Sequence, residues 1–173
     1  IVDYGGNTNN NIIGIQQLAS VIKQSKEDEP DDSKRYVMIY QDYEVAIQYQ
    51  GSKPSYSYAY SADGIHWGKG TAFTPGWDVI TAVWDDDENN FITLQKVNIH
   101  GRRDQHFMTG TPDEWSVPLD AAALADIQDT LETYRADTYG TSFYVKDGNY
   151  IALEWLLKAP GFADTNVTHM MDG

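Results

Sequence analysis

Cysteine is absent from the 173 residues, which excludes disulfides and thiolate metal sites while leaving the redox compartment open. Basic residues are scarce, with 12 lysines and arginines against 26 aspartates and glutamates, a formal charge of −14. A surface of that sign repels phosphate backbones and anionic bilayers, which argues against nucleic acid and charged membranes as partners. No apolar run approaches the roughly 18 residues of a membrane helix, so no membrane span is expected. His66 and His100 stand alone, without the spacing of metal ligands, and neither a metal nor a cofactor is expected. An initiator Met and a signal peptide are also missing. A chain that opens at Ile1 reads as a processed or excised piece, with any targeting segment outside it.

What is present is core-forming material. Hydrophobic residues make up 41% and aromatics 13%, including 12 Tyr and 5 Trp, too many for a disordered acidic chain. Three segments share one grammar: an apolar strand, a polar turn, then a strand opening on an aromatic. They are Ser20–Gln24 with Arg35–Tyr40, Ile80–Trp84 with Phe91–Lys96, and Thr141–Val145 with Tyr150–Leu157. The opening aromatics Tyr36, Phe91 and Tyr150 lie 55 and 59 positions apart. The turns Asp85–Asn90 and Lys146–Asn149 predict hairpins, the second through the Gly-Asn pair that tolerates positive φ. After the first two hairpins a third strand runs into a polar turn and a tryptophan, Trp67 and Trp115, 48 positions apart. The repeat is therefore about 50 residues and three to four antiparallel strands, the size of a propeller blade. A meander or sandwich with look-alike hairpins is the plainer alternative.

Two stretches have helical spacing. Leu119–Arg135 is read as a connection containing a helical turn or more, and Asn11–Lys23 as a loop feeding an inner strand. Lys26–Lys34 carries Pro30 and no apolar residue, the composition of a solvated loop.

The strings Arg35–Tyr40, Tyr60-Ser-Ala-Asp-Gly-Ile-His-Trp67, Gly101-Arg-Arg103 and Asp137-Thr-Tyr-Gly140 occur in the order found in glycoside-hydrolase-like five-bladed β-propellers of the invertase and arabinanase group. The chain resembles these proteins from about Asn10 to Leu157. A sialidase-type Asp box has one more residue between its Asp and Gly and fits less well. The resemblance implies an all-β fold, a partial propeller with about three blades, in units near 12–76, 77–136 and 137–173. Five such blades need roughly 250 residues. Further blades of the same polypeptide or a partner chain would then complete the ring.

The resemblance also implies chemistry at the axial mouth, where acids on successive inner strands flank a sugar. Glycoside cleavage needs one carboxyl protonated and one ionised, about 5 Å apart for retention or 6.5–9.5 Å for inversion. Asp78 and Asp137 occupy the matching positions as catalytic residues, although the family commonly has Glu where Asp137 stands. The first-blade acid is Asp3 or lies outside this sequence. Arg102 and Arg103 would clamp hydroxyl or anionic groups of the substrate, with Tyr139 and Trp77 beside them. Glu154, Asp126 and Asp129 are weaker candidates. Asp85, Asp87 and Asn89 mimic part of a calcium loop, but Asn90 and Lys96 replace its Gly and Glu, so an ordinary acidic turn is expected. Asn166-Val-Thr168 is a glycosylation sequon. The implied function is carbohydrate hydrolysis outside the cytoplasm, in the periplasm or beyond. A non-catalytic carbohydrate-binding module or a structural assembly subunit remains the alternative.

Overall fold

The computed structural model describes residues 16–42, 55–76, 78–99, 102–116, 119–120 and 136–158. Asp3, Trp77, His100, Gly101, Asp126, Asp129, the sequon at Asn166 and residues 121–135 of the expected helical connection lie outside them. Within the described residues the chain is all-β, with one short 3-10 turn at Asp32–Lys34 and no α-helix.

Among the described residues, eleven strands form three antiparallel sheets. The first holds β1 (Gln16–Lys23), β2 (Tyr36–Asp42), β3 (Ser55–Ser61) and β4 (Thr71–Pro75), in chain order. The second repeats that order with β5 (Ile80–Asp85), β6 (Asn90–Ile99), β7 (Arg102–Thr111) and β8 (Glu114–Trp115), while β9 (Leu119–Asp120) also pairs with β7. The third pairs β10 (Ala136–Lys146) with β11 (Asn149–Lys158). The Asn11–Lys23 segment thus resolves, over Gln16–Lys23, into a strand rather than a loop or helix. Pairing with β2 outweighs its helical spacing, and a register shift between Gln17 and Ser20 absorbs Leu18 at a φ of 52°.

The expected repeat is visible in the register. Tyr36 pairs with Ser61, which bridges to Trp67; Phe91 pairs with Gly110, which pairs with Trp115. The Asp85–Asn90 and Lys146–Asn149 hairpins close on those residue pairs. Asn89 and Asp147 adopt φ values of 52° and Gly148 of 68°, the left-handed conformations that tight hairpins require.

Side-chain chemistry shapes the other turns. In the Ser-x-Asp-Gly turn, Ser61 Oγ accepts the Gly64 N–H at 2.9 Å, and Asp63 Oδ1 accepts those of Ile65 and His66 at 2.8 Å. These bonds, with the His66 ring at 2.7 Å, hold the Asp63 carboxyl well below its ordinary range. In the 24–35 loop, buried Arg35 donates to the carbonyls of Gln24 and Ser25 and to Asp32, closing a loop that is otherwise largely solvated.

The main apolar core lies between the first two sheets, where Val37, Ile39 and Tyr56 meet Ile80, Ala82 and Phe91. Burial of each large side chain contributes about 1.5–3 kcal/mol. Trp115 stacks on Phe73 of the first sheet at 4.5 Å, an aromatic contact of about 0.5–1.5 kcal/mol beyond area. Trp67 packs with Met38, Tyr40 and Ala59 in a separate cluster. The strands β1, β5 and β10 contact in succession, so the three sheets stand side by side along their first strands.

Candidate functional site

The ends of the three sheets opposite the hairpin turns converge. Tyr56 on β3 donates its hydroxyl to the carbonyl oxygens of Val79 at 2.9 Å and Lys96 at 3.2 Å. The Lys96 N–H donates to Val79 O at 2.8 Å. Three elements are thereby fixed at one point: the start of β3, the approach to β5 and the second half of β6. Burial at this end is polar. Gln41, Asp42, Ser55, Gln95, Lys96 and Gln105 are all buried. Buried polar groups require partners, so a fold that concentrates them at one end holds that end in a specified arrangement.

Asp78 stands two residues before β5, beside this junction. Its Oδ2 meets the Lys96 ammonium in an ion pair whose lysine side chain is 5% exposed and whose aspartate is 30% exposed. The same ammonium lies over the Tyr139 ring, 4.5 Å from its centroid. A desolvated cation held between a carboxylate and a ring face combines two attractions of the same sign. Asp78 Oδ1 is buried without a hydrogen-bond partner, so one carboxylate oxygen retains unused lone pairs. Gly140 lets β10 approach this closely. A Cβ there would come within 2.8 Å of the Trp155 ring and 2.9 Å of the Val79 side chain.

The sequence-derived residues distribute around that cluster. Asp78 and Tyr139 are brought together through Lys96, which the sequence reading passed over. Asp137 is the second residue of β10 and pairs with Leu157. Arg102 and Arg103 are the first two residues of β7, paired with Ile99 and Asn98. Both arginines and Asp137 therefore occupy strand positions at the same end as Lys96. Glu154 lies on β11 opposite Thr141. Trp77 is outside the described residues.

A further acid is present there that the sequence did not single out. Asp42 closes β2, is 5% exposed and accepts the Tyr40 hydroxyl at 3.0 Å. Gly70 faces both groups, and a Cβ would collide with the Tyr40 hydroxyl.

The acidic turn at the opposite end is structural. Asp85, 1% exposed, accepts the N–H groups of Asp87 and Glu88 through Oδ1 and the Tyr150 hydroxyl, at 2.7 Å, through Oδ2. Among the described residues no three His, Asp or Glu side chains gather as a metal site. No protein-family model, curated protein or solved structure matches the chain.

Proposed function

We propose that this chain is part of a carbohydrate-active β-propeller whose reaction is glycoside hydrolysis. The observation that carries the reading is the Asp78–Lys96–Tyr139 cluster at the end where the three side-by-side sheets converge. In this reading Asp78 is the acid of the second sheet, paired with the Lys96 ammonium and open to substrate over the 30% of its side chain that remains exposed. Asp137 supplies the second carboxyl on the next sheet. Tyr139 and Trp77 offer ring faces to pyranose surfaces, and Arg102 and Arg103 offer planar donors to hydroxyl or acidic groups. Further blades, of the same polypeptide or a partner, would continue the stack beyond the third sheet. Its apolar side chains Tyr144, Ile151, Leu153 and Trp155 are exposed. The setting proposed is outside the cytoplasm.

A second reading, a carbohydrate-binding module without turnover, is favoured by one feature. The Lys96 ion pair already occupies Asp78 Oδ2, which leaves that carboxylate less available as a base or nucleophile. Release of reducing ends from a panel of polysaccharides, measured on the full-length protein and on folded Asp78→Asn, separates the two. Hydrolysis that disappears in the variant supports the enzyme. Turnover unchanged in the variant removes Asp78 from the mechanism, and retention on polysaccharide without turnover selects the binding module.

A further inference from the structure

The two joints between the sheets are built alike. After the opening aromatics Tyr36 and Phe91, the first and third residues along are apolar and buried: Val37 and Ile39 in the first sheet, Ile92 and Leu94 in the second. Val37 and Ile39 meet Ile80 and Ala82 of the next sheet, and β10 runs across β5, β6 and β7. Each face also carries a hydroxyl on its first strand, because Ser20 pairs with Ile39 and Thr81 with Leu94. Ser20 Oγ accepts the Ala82 N–H at 3.0 Å, and the Thr81 hydroxyl donates to the Thr141 carbonyl. In both joints the hydroxyl reaches the backbone of the next sheet's first strand. That strand is a sheet edge, so its outer N–H and C=O groups are free to be used this way.

The third sheet carries the same set. Ile151 and Leu153 follow Tyr150 at the same spacing, and Ser142 pairs with Leu153. Here the set is open. Ile151 is 42% and Leu153 69% exposed, and Ser142 is exposed with no such partner among the described residues. The face therefore matches a first strand of the kind that β5 and β10 supply to the sheets before them. The chain holds one more strand of that kind. β1 is the edge of the first sheet, and its Val21 pairs with Met38 as Ala82 pairs with Thr93, two residues after the opening aromatic in each case. Ala82 is buried against the preceding sheet, whereas Val21 is 54% exposed.

We infer that β1 of a second copy docks on the outward face of β10 and β11, with Val21 against Ile151 and Leu153 and its backbone edge on the Ser142 hydroxyl. The contact continues the two sheet-to-sheet joints already present in the molecule. It uses different surfaces on the two copies, so it closes into a ring or repeats along an array. It takes up the stacking of the propeller reading but not its chemistry, so association and polysaccharide turnover succeed or fail independently.

Sedimentation equilibrium of the full chain over the micromolar range tests it. At −14 per chain two copies repel, so runs at about 0.15 M and 1 M salt are compared, where the Debye length is about 8 Å and 3 Å. Reversible self-association is expected, no weaker at the higher salt. Leu153→Lys and Val21→Lys, both at exposed positions and checked for folding by circular dichroism, should each weaken it about tenfold or more. Ser142→Ala should weaken it about two- to tenfold. Mixing the two lysine variants should restore a heterodimer, since each keeps the surface that the other has lost. A monomer at every concentration overturns the proposal, as does association that survives Leu153→Lys or vanishes at the higher salt. A loss in Leu153→Lys with none in Val21→Lys means that third sheets meet face to face, which overturns β1 as the occupant. A mixture of the two variants that stays monomeric overturns it as well.

Discussion

Removing either partner of the Asp78–Lys96 pair leaves a charge unpaired, but the two residual charges sit in different surroundings. In Lys96→Met the stem volume is kept and the aspartate remains, 30% exposed, where water reaches part of it. The cost is that of a partly solvated polar group losing its partner, about 1–3 kcal/mol. In Asp78→Asn the ammonium remains, only 5% exposed, with the Tyr139 ring and a neutral amide as company. Breaking a buried pair from that side costs about 3–5 kcal/mol. For a chain of this size that is a fall in melting temperature of about 10 °C. The double variant removes both charges and should cost less than the sum of the two single variants, by a coupling of about 2 kcal/mol. Urea denaturation and thermal melts followed by circular dichroism, on the wild type and the three variants, give all of these quantities. If Lys96→Met proves as damaging as Asp78→Asn, or if the two effects simply add, the burial argument is wrong. The asymmetry also bears on activity assays, because a loss of hydrolysis in Asp78→Asn counts only in the fraction that remains folded.

Two more outcomes follow from the fold. Tyr56→Phe deletes one hydroxyl that serves two buried carbonyls across the first two sheets, so it should cost about 1–3 kcal/mol in the same urea experiment, with little change in the far-ultraviolet spectrum. The Asp63 carboxyl is held below its ordinary value of 3.8 by hydrogen bonds from the 61–67 turn, so its contribution to stability is complete above that value and is lost as pH falls through and below it. Comparing acid denaturation of the wild type with Asp63→Asn should show a shallower pH dependence below about pH 4 in the variant, and identical slopes would refute that assignment.

The sheet framework was legible where local chemistry dictates it. Lys-Asp-Gly-Asn and the acidic 85–90 turn announce their hairpins, and the Trp67 and Trp115 positions announce the repeat, because turns and strand ends are determined by a few neighbouring residues. The cluster at the converging end was half legible. Asp78 and Tyr139 stood out by their place in a pattern. Lys96 did not, since its partner is 18 residues away and its ring contact lies on another sheet. A usable signal was present: a lysine inside the run Phe91-Ile-Thr-Leu-Gln-Lys-Val97 stands where a strand should be buried, and a buried lysine needs an acid. Asp42 was missed as well. Nothing in its local sequence marks it, and the groups placed against it include Gly70, which is 28 residues away.

The way the third sheet is attached sets the order in which the molecule opens. The first two sheets share an apolar core and the Tyr56 hydroxyl. Among the described residues, the side-chain bonds that reach the third are polar: Thr81 to the Thr141 carbonyl, Tyr150 to Asp85, and Tyr139 beneath the Lys96 ammonium. Every apolar side chain described on β10 and β11 retains partial or full exposure. Segments held this way undergo local opening at a fraction of the global free energy, and their amides exchange first. The Asp78–Lys96 pair sits on that seam. Each excursion of β10 and β11 lets water reach the lysine, which turns a fixed pair into a transiently solvated one and makes the electrostatics of this end a property of the seam's closed population.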